Sequence, residues 1–123
     1  MTRQASLGDE IRDARVAKGL GLRALARLIE IAPSYLSDIE YNRRLPSEEV
    51  LRNICRHLEL DVDRMLALAG RFGDGADEYL KQAPNAGVLF RRAQEHNLTD
   101  EDLRKLIQQA DRMAQRKREK DSS

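Results

Sequence analysis

The sequence predicts an all-α fold, and three observations predict it. Apolar residues recur at three- and four-residue spacing, residues that cap helix N-termini stand ahead of those runs, and Gly, Asn or Pro closes them. No segment alternates apolar and polar residues as a half-buried strand does. Aromatic residues are 4% of the chain and Trp is absent, so the core has to be built from Leu, Ile, Val and Ala.

The elements follow in order. Ser6 caps a first helix over 7–18, with Leu7, Ile11, Ala14 and Lys18 at helical spacing, and Gly19 takes the left-handed position that ends it. A second helix over 22–29 turns Leu25, Ala26 and Ile29 inward. A third over 33–40 opens on Pro33, whose missing N–H costs nothing in a first turn. Its Leu36, Ile39 and Glu40 face inward, and Ser34, Ser37 and Asp38 face out. Asn42 tolerates the left-handed turn that follows. Ser47 caps a fourth helix; Val50 stands where a strict capping box has Glu or Gln, but Glu48 and Glu49 suit the helix dipole. Its apolar stripe is Val50, Leu51, Ile54, Cys55 and Leu58. Asp61 caps a short fifth helix carrying Val62, Met65, Leu66, Leu68 and Ala69, which Gly70 ends.

Residues 1–70 are therefore expected to form one domain, with the two-glycine stretch 71–76 as a linker. Residues 77–120 read as a helical extension: a short helix to Gln82, a second one capped by Asn85 with Val88, Leu89 and Ala93 inward, a turn at Asn97-Leu98, and a long helix opened by Thr99 and Asp102. In that last helix Leu103, Leu106, Ile107, Ala110, Met113 and Ala114 form an amphipathic stripe. So short an extension has little core of its own, and the stripe is expected to pair with a second copy, through Leu103, Leu106, Ile107, Ala110 and Met113, rather than fold back on its own chain. The polar tail is expected to fray, with 121–123 disordered.

Bulk properties exclude several classes. Cys55 is the only cysteine, so no intrachain disulfide exists, and its place in an apolar stripe reads as core packing. The N-terminus has no signal-peptide run and no window approaches a membrane span, so a soluble cytoplasmic protein is expected. His57 and His96 stand alone without metal-ligand spacing, and no phosphate loop, nucleophile elbow or paired carboxylates are readable. An enzyme, a metal site and a cofactor are not expected. The net charge of +1 does not advertise nucleic-acid binding, and residues 1–47 carry a balance of only +2, so any DNA contact must come from local placement of charge.

Residues 25–46 hold that placement: two short helices joined by a tight turn, then a basic loop. Leu25-Ala26, Ile31, Ser34-Tyr35-Leu36-Ser37, Ile39-Glu40 and Pro46-Ser47 at these spacings resemble the Cro and phage-repressor type of helix-turn-helix domain, the XRE family, over residues 5–69. The resemblance implies a five-helix, lambda-repressor-like domain, here with a C-terminal helical extension. It implies an Arg15–Glu40 ion pair between the first and third helices. It implies a recognition helix that presents Pro33, Ser34, Ser37 and Asp38 to base edges, with Tyr35 near the DNA backbone. Asn42, Arg43 and Arg44 in the following loop and Arg23 on the second helix join the DNA-contact set, Arg43 and Arg44 toward phosphate or into a groove and Arg23 toward phosphate. Leu22, Glu30 and Pro33-Ser34 depart from the family pattern, which has Gln, Gly and longer polar residues there. The implied function is a sequence-specific transcriptional regulator, a repressor acting as a homodimer on double-stranded DNA with a palindromic operator. The alternative is a protein-interaction module, antitoxin-like, whose C-terminal helices engage another protein such as a toxin, a protease or an antirepressor.

Overall fold

Ser6 opens α1 (Leu7–Ala17): its Oγ accepts the Asp9 N–H at 3.1 Å. The structure, a computed structural model, describes residues 6–122. Residues 1–5 at the start of the first domain and Ser123 of the tail lie outside the described residues. The chain separates into two units, Met1–Asp74 and Gly75–Ser123.

The first unit holds α1, α2 (Leu22–Leu28), α3 (Pro33–Glu40), α4 (Glu48–Leu58) and α5 (Val62–Leu68). Ile11, Leu25, Ala26, Leu36, Leu51 and Ile54 have no solvent exposure, and Ile39, Cys55 and Met65 have almost none. Each large aliphatic side chain so enclosed stabilises the fold by about 1.5–3 kcal/mol. Ala26 is small enough for α2 to approach its neighbours closely, and Ile31 in the α2–α3 turn packs on the same core. Ser47 Oγ accepts from Val50 N, so the cap works without the reciprocal acid. Asp61 accepts from Asp63 and Arg64 N–H groups at the start of α5.

The first five helices end alike. A left-handed residue follows the helix, and the next N–H reaches back five positions. The pairs are Leu20 N to Arg15 O, Ile31 N to Ala26 O, Arg43 N to Asp38 O, Leu60 N to Cys55 O and Arg71 N to Leu66 O. The left-handed residue is Gly19, Glu30, Asn42, Glu59 or Gly70 in turn. Glu30, at φ 58°, thus does what Gly19 and Gly70 do in their turns, against a Cβ penalty of about 1 kcal/mol.

Burial pushes the Cys55 thiol up from its ordinary range, with Asp61 adding to the effect. The folded state holds this proton more tightly than the unfolded chain does. Its contribution to stability is therefore full below about pH 8.5 and declines as pH rises beyond it. Urea midpoints measured from pH 7 to 10 should fall for the wild type and fall less for Cys55→Ala, which will be weaker throughout because of its cavity. Equal slopes for the two would show that Cys55 titrates no differently once unfolded.

The second unit holds α6 (Ala76–Gln82), α7 (Pro84–Glu95) and α8 (Asp100–Ser122). Two of the expectations for it are corrected. Asn85 does not cap α7: the helix already starts at Pro84, and Ala83 is its N-cap residue. A residue before proline is kept out of the helical region, so Ala83 at φ −124° alone separates α6 from α7. Val88 and Leu89 are not inward; they are 45% and 52% exposed, since this unit has no second layer to cover them. α8 is helical to Ser122, whose Oγ donates to Arg118 O at 2.7 Å. The Thr99–Asp102 capping box does form in both directions. The Thr99 N–H bond holds the Asp102 carboxyl below its usual range.

Among the described residues no helix is long and apolar enough to cross a membrane.

Candidate nucleic-acid interface

A reading helix needs a fixed back and an open front. The back of α3 is Leu36, Ile39 and Glu40, all buried. Glu40 is 2% exposed, and a carboxylate there is tolerable only when fully paired. Arg15 pairs it with a fork: Nε to Oε2 at 2.8 Å and Nη2 to Oε1 at 3.0 Å. Arg15 Nη1 donates to Leu20 O at 2.8 Å, so one guanidinium ties α1, α3 and the α1–α2 turn. The hydrogen bond to Glu40 drives the Arg15 guanidinium further toward its charged form. The implied α1–α3 ion pair is present.

The front is Pro33 and Ser34, both exposed, with Ser37 and Asp38 half-buried. No side chain caps α2 or α3, so their first-turn N–H groups can meet an anion such as a phosphate. Arg23, near the start of α2, is exposed. Leu22, where the resemblance implies Gln, packs against the core and offers no polar atom outward.

Five residues assigned to DNA contact from the sequence have intramolecular work. Asp38 Oδ1 accepts from Arg43 Nε at 2.9 Å, so acid and base on the reading surface partly neutralise each other. Arg44 lies over the Tyr35 ring at 4.6 Å. Tyr35 packs on the core, and its hydroxyl accepts from Ser47 N at 3.3 Å. Tyr35 thus braces α3 against the start of α4. Asn42, although exposed, is committed on both sides of its amide: Oδ1 accepts from Gly8 N at 3.0 Å and Nδ2 donates to Ser6 Oγ at 2.8 Å. It closes α3 by taking φ 60° and caps α1 at the same time. The Asn42 side chain is thus a lock between helices, with both sides of its amide engaged inside the domain.

Sequence reasoning misses Tyr41. Its ring is 59% exposed beside the basic loop, with the Arg43 guanidinium 5.0 Å and the Arg12 guanidinium 5.9 Å from its centroid. An aromatic residue two positions before Arg43 is a visible signal; the approach of Arg12 from α1 depends on the fold and is not. Together Arg12 and Arg43 on Tyr41, and Arg44 on Tyr35, make a rim of cations stacked on two tyrosines. Such stacking orients a guanidinium while leaving N–H groups for a phosphate.

Comparison with known proteins fits this geometry. Residues 6–68, just over half of the chain, match the family described as a helix-turn-helix domain. The transcriptional regulator ClgR of Mycobacterium tuberculosis is 39% identical over 64 residues, which cover 52% of this chain and 57% of that protein. The immF control region 10 kDa protein of Bacillus phage phi105 is 39% identical over 57 residues, covering 46% of this chain and 63% of its own. The chain thus spans less than two thirds of the length of these curated relatives. Among solved structures, the N-terminal DNA-binding domain of SinR from Bacillus subtilis is 34% identical, covering 51% of this chain and 93% of that one, with a TM-score of 0.47. With residues 6–68 matched and the paired Arg15–Glu40 core behind an open recognition helix, the chain belongs to the XRE-type family of helix-turn-helix domains.

Proposed function

We propose that this protein is a transcriptional repressor that binds a palindromic operator as a homodimer. One observation carries the DNA reading: α3 has a back fixed by Leu36, Ile39 and the forked Glu40, an open front of small residues at Pro33, Ser34 and Ser37, and an arginine rim beside it. A helix held so can lie in a major groove while Arg23, Arg43 and Arg44 take phosphates on either side. Small hydroxyls discriminate bases weakly, so affinity rests on the arginines and on the second subunit. Two subunits would place their recognition helices about 34 Å apart, in successive major grooves. Occupancy of a promoter then blocks transcription with no ligand needed. The family membership and the regulatory names of the relatives support the same reading.

The test is binding to genomic fragments, including the gene's own promoter, by fluorescence anisotropy across a salt series. Wild type should form a specific, salt-sensitive complex. Arg43→Ala/Arg44→Ala should weaken it and flatten the slope of log affinity against log salt by up to about 2, near 0.9 for each phosphate that is no longer neutralised. If no fragment gives a specific complex, the reading is wrong.

A second reading has an observation of its own: the extension leaves Phe90, Ile107 and Met113 about 60% exposed. A protein-binding module would use these apolar residues for an unlike partner, with DNA binding secondary or lost. In that case the arginine pair could be removed without consequence for DNA, and only substitutions in α7 or α8 would matter.

A further inference from the structure

We propose that α8 pairs with α8 of a second copy in antiparallel sense, about a two-fold axis near Gln108 and Gln109. The inference rests on the homodimer reading above and adds the direction and register of the contact.

Two observations carry it. The first is the run of exposed or half-exposed apolar residues on one face, from Leu103 to Ala114, with Ile107 61% and Met113 59% exposed. Not one residue of α8 is buried. At about 1.5 Å per residue the 23-residue helix is about 34 Å long, and a solvated helix of such length and polarity is stabilised chiefly by what its apolar face packs against.

The second is charge order along the same helix. Asp100, Glu101 and Asp102 fill the first turn, and Arg116, Lys117 and Arg118 follow the stripe after Gln115. A parallel pair would set acidic turn against acidic turn and basic cluster against basic cluster. An antiparallel pair that superposes the two apolar runs places Leu103 opposite Ala114 and Ile107 opposite Ala110. It also sets the acidic turn 100–102 against residues 115–117 of the other copy. Both ends are then complementary, and the small Ala110 near the middle lets the helices approach closely. Acids at the helix N-terminus and bases toward its C-terminus also suit the helix dipole. That local effect explains their presence at the ends but favours neither direction of pairing, so the two directions are separated by experiment.

Sedimentation equilibrium of the full chain, at low salt, distinguishes them. Asp100→Lys/Glu101→Lys turns each acidic end basic; in the antiparallel pair it then faces Arg116 and Lys117, and dimer affinity should drop about tenfold or more. Adding Arg116→Glu/Lys117→Glu to the same chain swaps both ends and should restore most of the affinity, which a damaged helix terminus could not do. In a parallel dimer the first variant merely replaces acid–acid by base–base repulsion, and unchanged affinity overturns the proposal. So does a loss that the fourfold variant fails to recover. Leu103→Cys and Met113→Cys give a second readout under mild oxidation. The two variants mixed should cross-link to each other, and neither should cross-link efficiently to itself; efficient self-linking of either overturns the antiparallel register. A wild-type chain that sediments as a monomer at every concentration would instead remove the homodimer reading on which this rests.

Discussion

Arg15→Met is expected to destabilise the N-terminal unit by about 3–5 kcal/mol, the cost of leaving a buried carboxylate without its partner. Glu40 is 2% exposed and receives both of its charged hydrogen bonds from Arg15. Without them its charge sits among Leu36, Ile39 and the rest of the core, and the freed Leu20 carbonyl adds to the loss. The remaining 13% exposure of the Arg15 side chain lets some water relieve the site, which favours the lower half of that range. Equilibrium urea unfolding, followed by circular dichroism, measures it. The double variant Arg15→Met/Glu40→Leu should recover most of the stability, because an ion pair replaced by apolar residues of similar size costs little. It should not recover DNA affinity to the same degree if the fork sets the angle between α1 and the recognition helix. A single-variant loss below about 1 kcal/mol would show that Glu40 escapes to solvent and that the fork does not fix α3.

That pair is legible because its two residues stand at positions characteristic of the family. The helices are legible for a more general reason. The sequence predicts α3 over 33–40 and it is found at Pro33–Glu40, since proline, a left-handed Asn and apolar spacing all mark the same limits. The same agreement of caps and spacing locates α4 and α5. In the extension the signals conflict. Asn85 is a good cap residue, but Pro84 ahead of it is a stronger helix start. Val88 and Leu89 have helical spacing, but spacing tells only which residues share a face, and no layer of the second unit covers that face. The interface shows the same division. Outward direction of Ser34 and Ser37 follows from periodicity. The employment of Asn42 by Gly8 and Ser6, and of Tyr35 by Ser47, depends on contacts between residues 12 to 36 positions apart, which no local pattern encodes.

Gly8→Ala is expected to cost about 3 kcal/mol, the upper end of the usual range for overpacking. It should weaken operator binding by more than the loss of folded protein explains. A Cβ at Gly8 would stand 2.4 Å from the Glu40 carbonyl oxygen and 2.7 Å from that of Ile39. Both are backbone atoms at the C-terminal end of the recognition helix and cannot rotate away. The third neighbour, Asn42 Oδ1 at 2.8 Å, is the acceptor of the Gly8 N–H. The added methyl therefore has to push α1 and α3 apart and stretch the lock that joins them. Asn42→Gly separates the two effects: it keeps the left-handed turn at no steric cost and removes only the side-chain hydrogen bonds, so stability should fall by about 1–2 kcal/mol with α3 left in place. At temperatures where each variant is fully folded, Gly8→Ala should bind operator roughly tenfold or more weakly, because displaced base contacts are worth about 1–3 kcal/mol each. Asn42→Gly should bind nearly as wild type. The reverse order would mean that the Asn42 amide itself meets DNA and that the close approach at Gly8 does not position α3.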